Sequence, residues 1–408
     1  MNSLFLAIIG LILFGLGYRF YASYISTKIY SLQDFTGDVP AKEFQDGIDF
    51  VPTKKGILFG HHFTSIAGAA PIIGPCIAAF WGWLPAMLWI VFGTIFMGAV
   101  HDFGALVVSV REKGKTIADI TGTIINKRVK TMFLIFVMML SWLVLAVFAM
   151  AIAGLFVSIP TAVLPVNIEI IIALGVGFLL YRKKVDALIP SIIALFLLYV
   201  FVYIGSFTPL SFEAIGMDKA SQSTLWIILL FIYSGIASLL PVWLLLQPRD
   251  YINSHQLIVG LALIFMGIAI AQPVVEAPMI RSAGEGVPGL FPLLFVTIAC
   301  GAISGFHGLV ASGTTSKQVS NIQDTKMIGY GSMLGEGTLA LASTIAAVAG
   351  ISLVTNCNLP SIGAVENLNW NIYYDTWAHA ATNKATAFVL GGGALIQSLG
   401  IPPILAKT

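Results

Sequence analysis

The sequence predicts an all-α polytopic membrane protein, arranged as two inverted five-helix repeats behind one leading helix. Three observations predict it. Charged residues fill only 10% of the 408 positions, against about 25% in soluble domains. Apolar blocks long enough to cross a hydrocarbon core of about 30 Å recur along the chain, and Lys and Arg collect in alternate connections between those blocks. A hydrophobic fraction of 58% and a mean hydropathy of +0.92 restate the first point. The net charge of +2 comes without a clustered basic face on a solvated domain, so the lipid bilayer is an expected partner and nucleic acid is not.

A window of about 19 residues resolves eleven spans: 3–24, 60–80, 83–110, 130–158, 161–181, 187–206, 224–246, 255–273, 289–312, 328–354 and 382–400. The first, SLFLAIIGLILFGLGYRFYASY, has no basic leader and no small-residue cleavage site, and its positive charges follow the apolar run. It reads as a retained helix, not a signal peptide. The gaps 25–59, 111–129 and 355–381 suit linkers or small caps. The organisation is therefore a leading helix and linker over 1–59, a first repeat over 60–206 and a second over 224–408. Cys76, Cys300 and Cys357 form no CxxC pair and no disulfide scaffold.

Positive residues stay on the inner side of a membrane. The connection REKGKTIADITGTIINKRVK carries Arg111, Lys113, Lys115, Lys127, Arg128 and Lys130 against Glu112 and Asp119. It is inner, as are the connections with Arg182, Lys183 and Lys184, with Arg249, and with Lys317 and Lys326, each two spans further on. The intervening set is poor in Lys and Arg: VSIPTAVLPVN has no charge, and 355–381 holds only Glu366 and Asp375. The amino terminus is expected outside, and ten spans begin inside at about residue 60.

Ten spans divide into two fives, and an odd number per repeat inverts the second against the first. Such folds place their sites at interrupted helices. The first of the ten, GHHFTSIAGAAPIIGPCIAAF, contains Gly68, Pro71, Gly74 and Pro75; the sixth, TLWIILLFIYSGIASLLPVWLLLQP, contains Gly235 and Pro241. Proline removes a donor and clashes with the preceding turn, and glycine tolerates the unwound geometry. Both helices are expected to break near mid-membrane, with Tyr233, Ser234 and Gly235 at the second break facing Gly68, Pro71 and Gly74 at the first. Free N–H and C=O groups there attract anionic and cationic ligands.

Few ionisable groups lie within the spans. His61 and His62 open the first broken helix, with Ser65 one turn beyond His62; they are candidates for proton or substrate handling, and less readily for a metal, because adjacent positions diverge by about 100°. His101 and Asp102 fall near the inner end of the 83–110 span, either as a proton or gate element or as a lock to Arg111. Glu336 lies about 12 Å from the inner end of its helix and must face the bundle interior; it is the leading coupling candidate. The span TIACGAISGFHGLVASGTTS presents a small face of Gly301, Ala302, Ser304, Gly305 and Gly308 for close packing, with Ser304 and His307 as candidate ligands.

No phosphate loop, nucleophile elbow, dinucleotide fingerprint or HExxH site is present. An enzyme is not expected, and energy for transport would come from a proton or Na⁺ gradient with no cofactor required. A competing reading takes the histidines at the spans as ligands of a membrane metal- or haem-binding redox or sensor protein.

The blocks GHHFTSIAGAAPIIGPCIAAFWGWLPAMLWIVFGTIFMGAVHDFGALVVSVREKGKTIAD, SLLPVWLLLQPRDY, FVTIACGAISGFHGLVASGTTSKQV and MIGYGSMLGEG resemble signature blocks of the carbon starvation protein A family. The resemblance runs over most of the chain from about residue 45. It implies a bacterial inner-membrane secondary transporter with the leucine-transporter-like five-plus-five fold, importing small peptides or pyruvate-like carboxylates by alternating access. Family members continue beyond the tenth span, whereas this sequence stops at GIPPILAKT, so the resemblance implies a chain truncated or incompletely read there.

Overall fold

A computed structural model describes residues 1–183, 185–281, 286–359, 362–382 and 385–407. Lys184 and Thr408 lie outside the described residues, and nothing is said of the Cys300 side chain.

Helix α1 (Ser3–Ile29) starts where the Asn2 side chain accepts a hydrogen bond from the Leu4 N–H at 2.9 Å, satisfying one of the free donors at a helix start. A bent pair follows, α2 (Lys55–Ile66) and α3 (Ala70–Trp81), angled by 48°. Gly82, at φ 103°, then turns the chain into α4 (Trp83–Arg111); only glycine adopts that backbone without strain. The short α5 (Ile117–Ile124) is capped by Thr116, whose Oγ1 accepts from the Asp119 N–H. Four long helices come next: α6 (Lys127–Ser158), α7 (Pro160–Arg182), α8 (Leu188–Phe207) and α9 (Lys219–Ser238), the first and last capped by Asn126 and Asp218. Helix α10 (Leu246–Ala271) ends at Gln272, whose φ of 44° breaks the helical run.

Among the described residues seven helices are long and apolar enough to cross a membrane, and the bent pair α2–α3 makes eight if taken as one span. Of the remaining three expected spans, 328–354 is an uninterrupted helix over 326–348, and the other two differ from their prediction. The 289–312 segment is three short helices, α11 (Leu290–Thr297), α12 (Ala299–Ile303) and α13 (Phe306–Gly313), interrupted at Ser304. A π-turn, Lys326–Gly331, leads into α14 (Ser332–Val348), and every α14 residue except Gly335 and Thr338 is buried. A helix covered on all sides is apolar all round, and Gly337, Ala340, Ala342, Ala346 and Ala347 make that possible. The last expected span is only α15 (Thr386–Gln397), about 18 Å long and too short to cross. Gly400, at φ 84°, turns the chain so that Pro403–Lys407 returns along α15. The 355–381 gap contains an antiparallel hairpin, Asn356–Leu359 with Gly363–Glu366.

The two sets of connections sort to two ends. Lys54 pairs with Asp186 at 2.8 Å, Lys113 with Glu43 at 2.8 Å and Lys317 with Asp49 at 3.4 Å, all expected inside. At the other end Asn2 donates to Gln272, Arg281 to the Tyr374 carbonyl, and the Trp370 N–H to Glu276. These joins follow the alternation read from the loop charges.

The sixth core helix is the clearest departure. Helix α9 runs unbroken through Gly235, which is exposed, and Pro241 falls beyond its end in the non-helical 239–245. Proline here follows a helix terminus instead of splitting a helix. The chain then becomes helical at Leu246, so Arg249 and Asp250 belong to the first turns of α10, not to an inner loop.

Candidate functional site

Three helices bring together the groups of greatest chemical interest. Asp102 on α4, His307 on α13 and Glu336 on α14 are each fully buried. Asp102 Oδ2 lies 3.0 Å from His307 Nδ1, and His307 Nε2 lies 3.1 Å from Glu336 Oε2. The imidazole thus bridges two carboxyl groups that are 234 positions apart in sequence. The interruption at Ser304 aims it: His307 stands in the first turn of α13, immediately after the break.

Proton counting sets what this chain of groups can do. A neutral imidazole has one N–H and one acceptor nitrogen, so with two carboxylates one of the two contacts would be repulsive. One added proton satisfies both, either as an imidazolium between carboxylates or as a neutral ring with one carboxylic acid. Burial without such pairing is costly. Such an arrangement can accommodate one proton between three helices.

His101 extends the row outward. Its Nδ1 lies 3.4 Å from Asp102 Oδ1, and its side chain is 43% exposed. It borders a cavity of about 290 Å³ between α4 and α5, lined also by Val108, Ile117, Ile120 and Ile124. Asp102 faces His307 and His101, while Arg111 donates to the Tyr30 carbonyl, so the lock to Arg111 does not form.

A second cluster surrounds the two adjacent histidines. His61 Nδ1 lies 2.8 Å from Asp250 Oδ2, which also accepts from Ser65 Oγ at 3.0 Å. Thr64 Oγ1 donates to the Asp250 main-chain oxygen. Ser65 therefore shares a partner with His61, four residues before it, rather than with His62. His62 turns away, its Nδ1 2.9 Å from Thr315 Oγ1. The Nε2 atoms of both rings are buried without a hydrogen-bond partner among the described residues. Because the rings engage different helices, they do not converge on one metal, and among the described residues no three His, Cys, Asp or Glu are placed to share one.

The bent span touches the broken one. Gly68 lies in the 67–69 break, where an added Cβ would stand 3.0 Å from Phe148 Cζ. Pro71 is buried at the start of α3 and packs against Gly301. Gly74 permits the closest approach: a Cβ there would lie 2.3 Å from the Thr297 carbonyl oxygen. The bent span thus meets the interrupted one through the start of α3, against Thr297 and Gly301, rather than through α9. Tyr233 and Ser234 sit half-buried in unbroken α9, with Tyr233 packed on the Ala173, Val176 and Leu245 cluster.

Four residues at these sites escaped the sequence reading. Asp250 and Arg249 were masked by their likeness to a charged inner loop. Glu169 interrupts the apolar run NIEIII, a signal for a buried carboxylate that was legible. Thr315 gave none, because a hydroxyl at a helix exit is common.

The family model described as carbon starvation protein CstA matches residues 2–406. The chain belongs to the CstA family. It is 33% identical over its whole length to a peptide transporter CstA of Campylobacter jejuni, covering 58% of that protein. A pyruvate/proton symporter BtsT of Escherichia coli is 33% identical, with all of this chain and 60% of that protein covered. A peptide transporter CstA of Escherichia coli is 36% identical over 85% of this chain and 50% of its own length. The chain therefore spans about half to three-fifths of these relatives. No solved structure matches.

Proposed function

We propose that the chain forms the core of a proton-driven secondary transporter that imports small peptides or pyruvate-like carboxylates across the bacterial inner membrane by alternating access. The observation that supports it is the buried row Asp102, His307 and Glu336, which joins three ionisable groups from different parts of the chain. Its outer member His101 opens onto the cavity beside α5, an entry for protons from the side expected to be cytoplasmic, or an exit toward it. The names of the relatives, peptide transporter and pyruvate/proton symporter, support the same reading.

The five-plus-five inverted arrangement, with repeats over 60–206 and 224–408 and an external amino terminus, is supported by the loop charges and by the joins at the two ends. Substrate lies, in this reading, beside the 67–69 break, where α3 packs on the interrupted segment, with His61, His62 and Ser65 at its inner side. The experiment is uptake of labelled di- or tripeptide, and separately of pyruvate, into proteoliposomes under an imposed proton gradient. Gradient-dependent accumulation is expected; no accumulation of either above protein-free vesicles overturns the transport function.

A further inference from the structure

One buried ion pair has no part in that proton row. Glu169 on α7 is 6% exposed and stands about 14 Å along the helix from Pro160 and about 20 Å from Arg182, well inside the bilayer. Arg249 on α10 approaches it, with Nε 3.5 Å from Oε1. The fit is loose: neither Glu169 Oε1 nor Arg249 Nε reaches hydrogen-bond geometry. The Arg249 side chain keeps 32% of its surface open, against 8% for Glu169.

A guanidinium does not face hydrocarbon at this depth, so the surface it opens onto is wet. Helix α9 packs along α6 and meets this corner through Tyr233 and Ala237, and the Arg249 side chain keeps part of its surface open beside them. We infer that Arg249 is the seat of a substrate carboxylate, with Glu169 as the resident counter-anion that the incoming carboxylate displaces. This rests on the transport reading and assigns its substrate class. The planar five-donor fork of Arg matches a carboxylate in two parallel hydrogen bonds, better than the 3.5 Å contact between Nε and Oε1 that it makes with Glu169, a carboxylate Asn253 also holds. Its neighbour Asp250 is fastened to α2 through His61, Ser65 and Thr64. Exchange at Arg249 therefore takes place one residue from the bonds that hold the bent span.

The test uses three probes on the purified chain: dialanine, its carboxyl amide and pyruvate, each measured by calorimetric binding and by proteoliposome uptake. The acids are expected to bind at least tenfold more tightly than the amide. Arg249→Gln should raise KM for the acids at least tenfold, and Glu169→Gln, by removing the competing anion, should lower it several-fold. The double variant E169Q/R249Q leaves no unpaired charge, so it should keep its melting midpoint and still fail to take up acids. Recovery of uptake in the double variant makes the pair merely structural and overturns the seat. Equal binding of acid and amide, or binding of neither, also overturns it. Binding of acids without any uptake would instead overturn only the transport reading.

Discussion

The helix that carries Glu336 and the pair formed by α6 and α9 solve opposite problems with similar apolar sequence. Helix α14 is covered on nearly every face by close neighbours and can hold a carboxylate because α4 and α13 supply its partner. The apolar windows of α6 and α9 are only 6% buried; they pack along each other and present their remaining faces outward. Small residues mark the first, with Gly337, Ala340, Ala342, Ala346 and Ala347, whereas Trp142, Leu143, Met150 and Ile232 mark the second. In a bilayer large apolar residues have no need to leave the lipid, and backbones approach where side chains are small. The ionisable row is held in the tightly packed part.

The largest effects should come from the closed row. His307→Ala leaves two buried carboxyl groups facing one another and is expected to cost about 3–5 kcal/mol, read as a lowered unfolding midpoint in detergent; an unchanged midpoint would break the contrast between core and periphery. Glu336→Gln keeps the shape and removes the proton site. Its uptake should lose its dependence on the imposed pH gradient while the fold persists, and unaltered proton dependence would remove Glu336 from coupling.

Next in size is Gly74→Ala, whose methyl would meet a backbone oxygen 2.3 Å away. A loss of about 1–3 kcal/mol is expected, measured by the same unfolding assay. Gly68→Leu meets the movable Phe148 ring instead, so uptake should be blocked with a smaller change in midpoint; normal uptake would remove the 67–69 break from the site. Gly235→Ala, on the exposed face of unbroken α9 with open space around it, should stabilise by up to about 1 kcal/mol through helix propensity. A clear destabilisation there would restore the expected second break.

The smallest effect concerns the Lys54–Asp186 clamp. Its hydrogen bond from Lys54 holds the Asp186 carboxyl below the usual carboxylate range and raises the Lys54 ammonium above its own. A lowered carboxylate contributes above its unfolded value and is lost as pH falls through the folded one, so the clamp should hold at neutral pH and weaken only in acid. Both groups are solvent-exposed, and surface pairs contribute little. Asp186→Asn should leave the unfolding midpoint unchanged at neutral pH.

Much of this architecture was legible in residue pattern. Apolar length located the long helices, and the grouping of Lys and Arg assigned the connections to two ends, which the Lys54–Asp186 and Asn2–Gln272 joins reflect. The interruption at Gly68 and Pro71 was also readable. Pro241 misled because composition does not say whether a proline splits a helix or follows one. The 289–312 run looked continuous because its break depends on Ser304, a residue with no strong preference of its own. In the candidate site, Asp102, His307 and Glu336 were each singled out for a charge inside apolar sequence, but nothing in their spacing joined them.

The sequence by itself determined the apolar character and the positions of most of the long helices, because transfer energies are local sums over neighbouring residues. Tertiary structure alone decided which ionisable groups meet. Hydrogen bonds act over about 3 Å, and contacts such as His307 with Glu336 or Arg249 with Glu169 join positions whose proximity depends on how whole helices pack. The pairing of a buried charge is thus a property of the bundle, although the presence of that charge is a property of the chain.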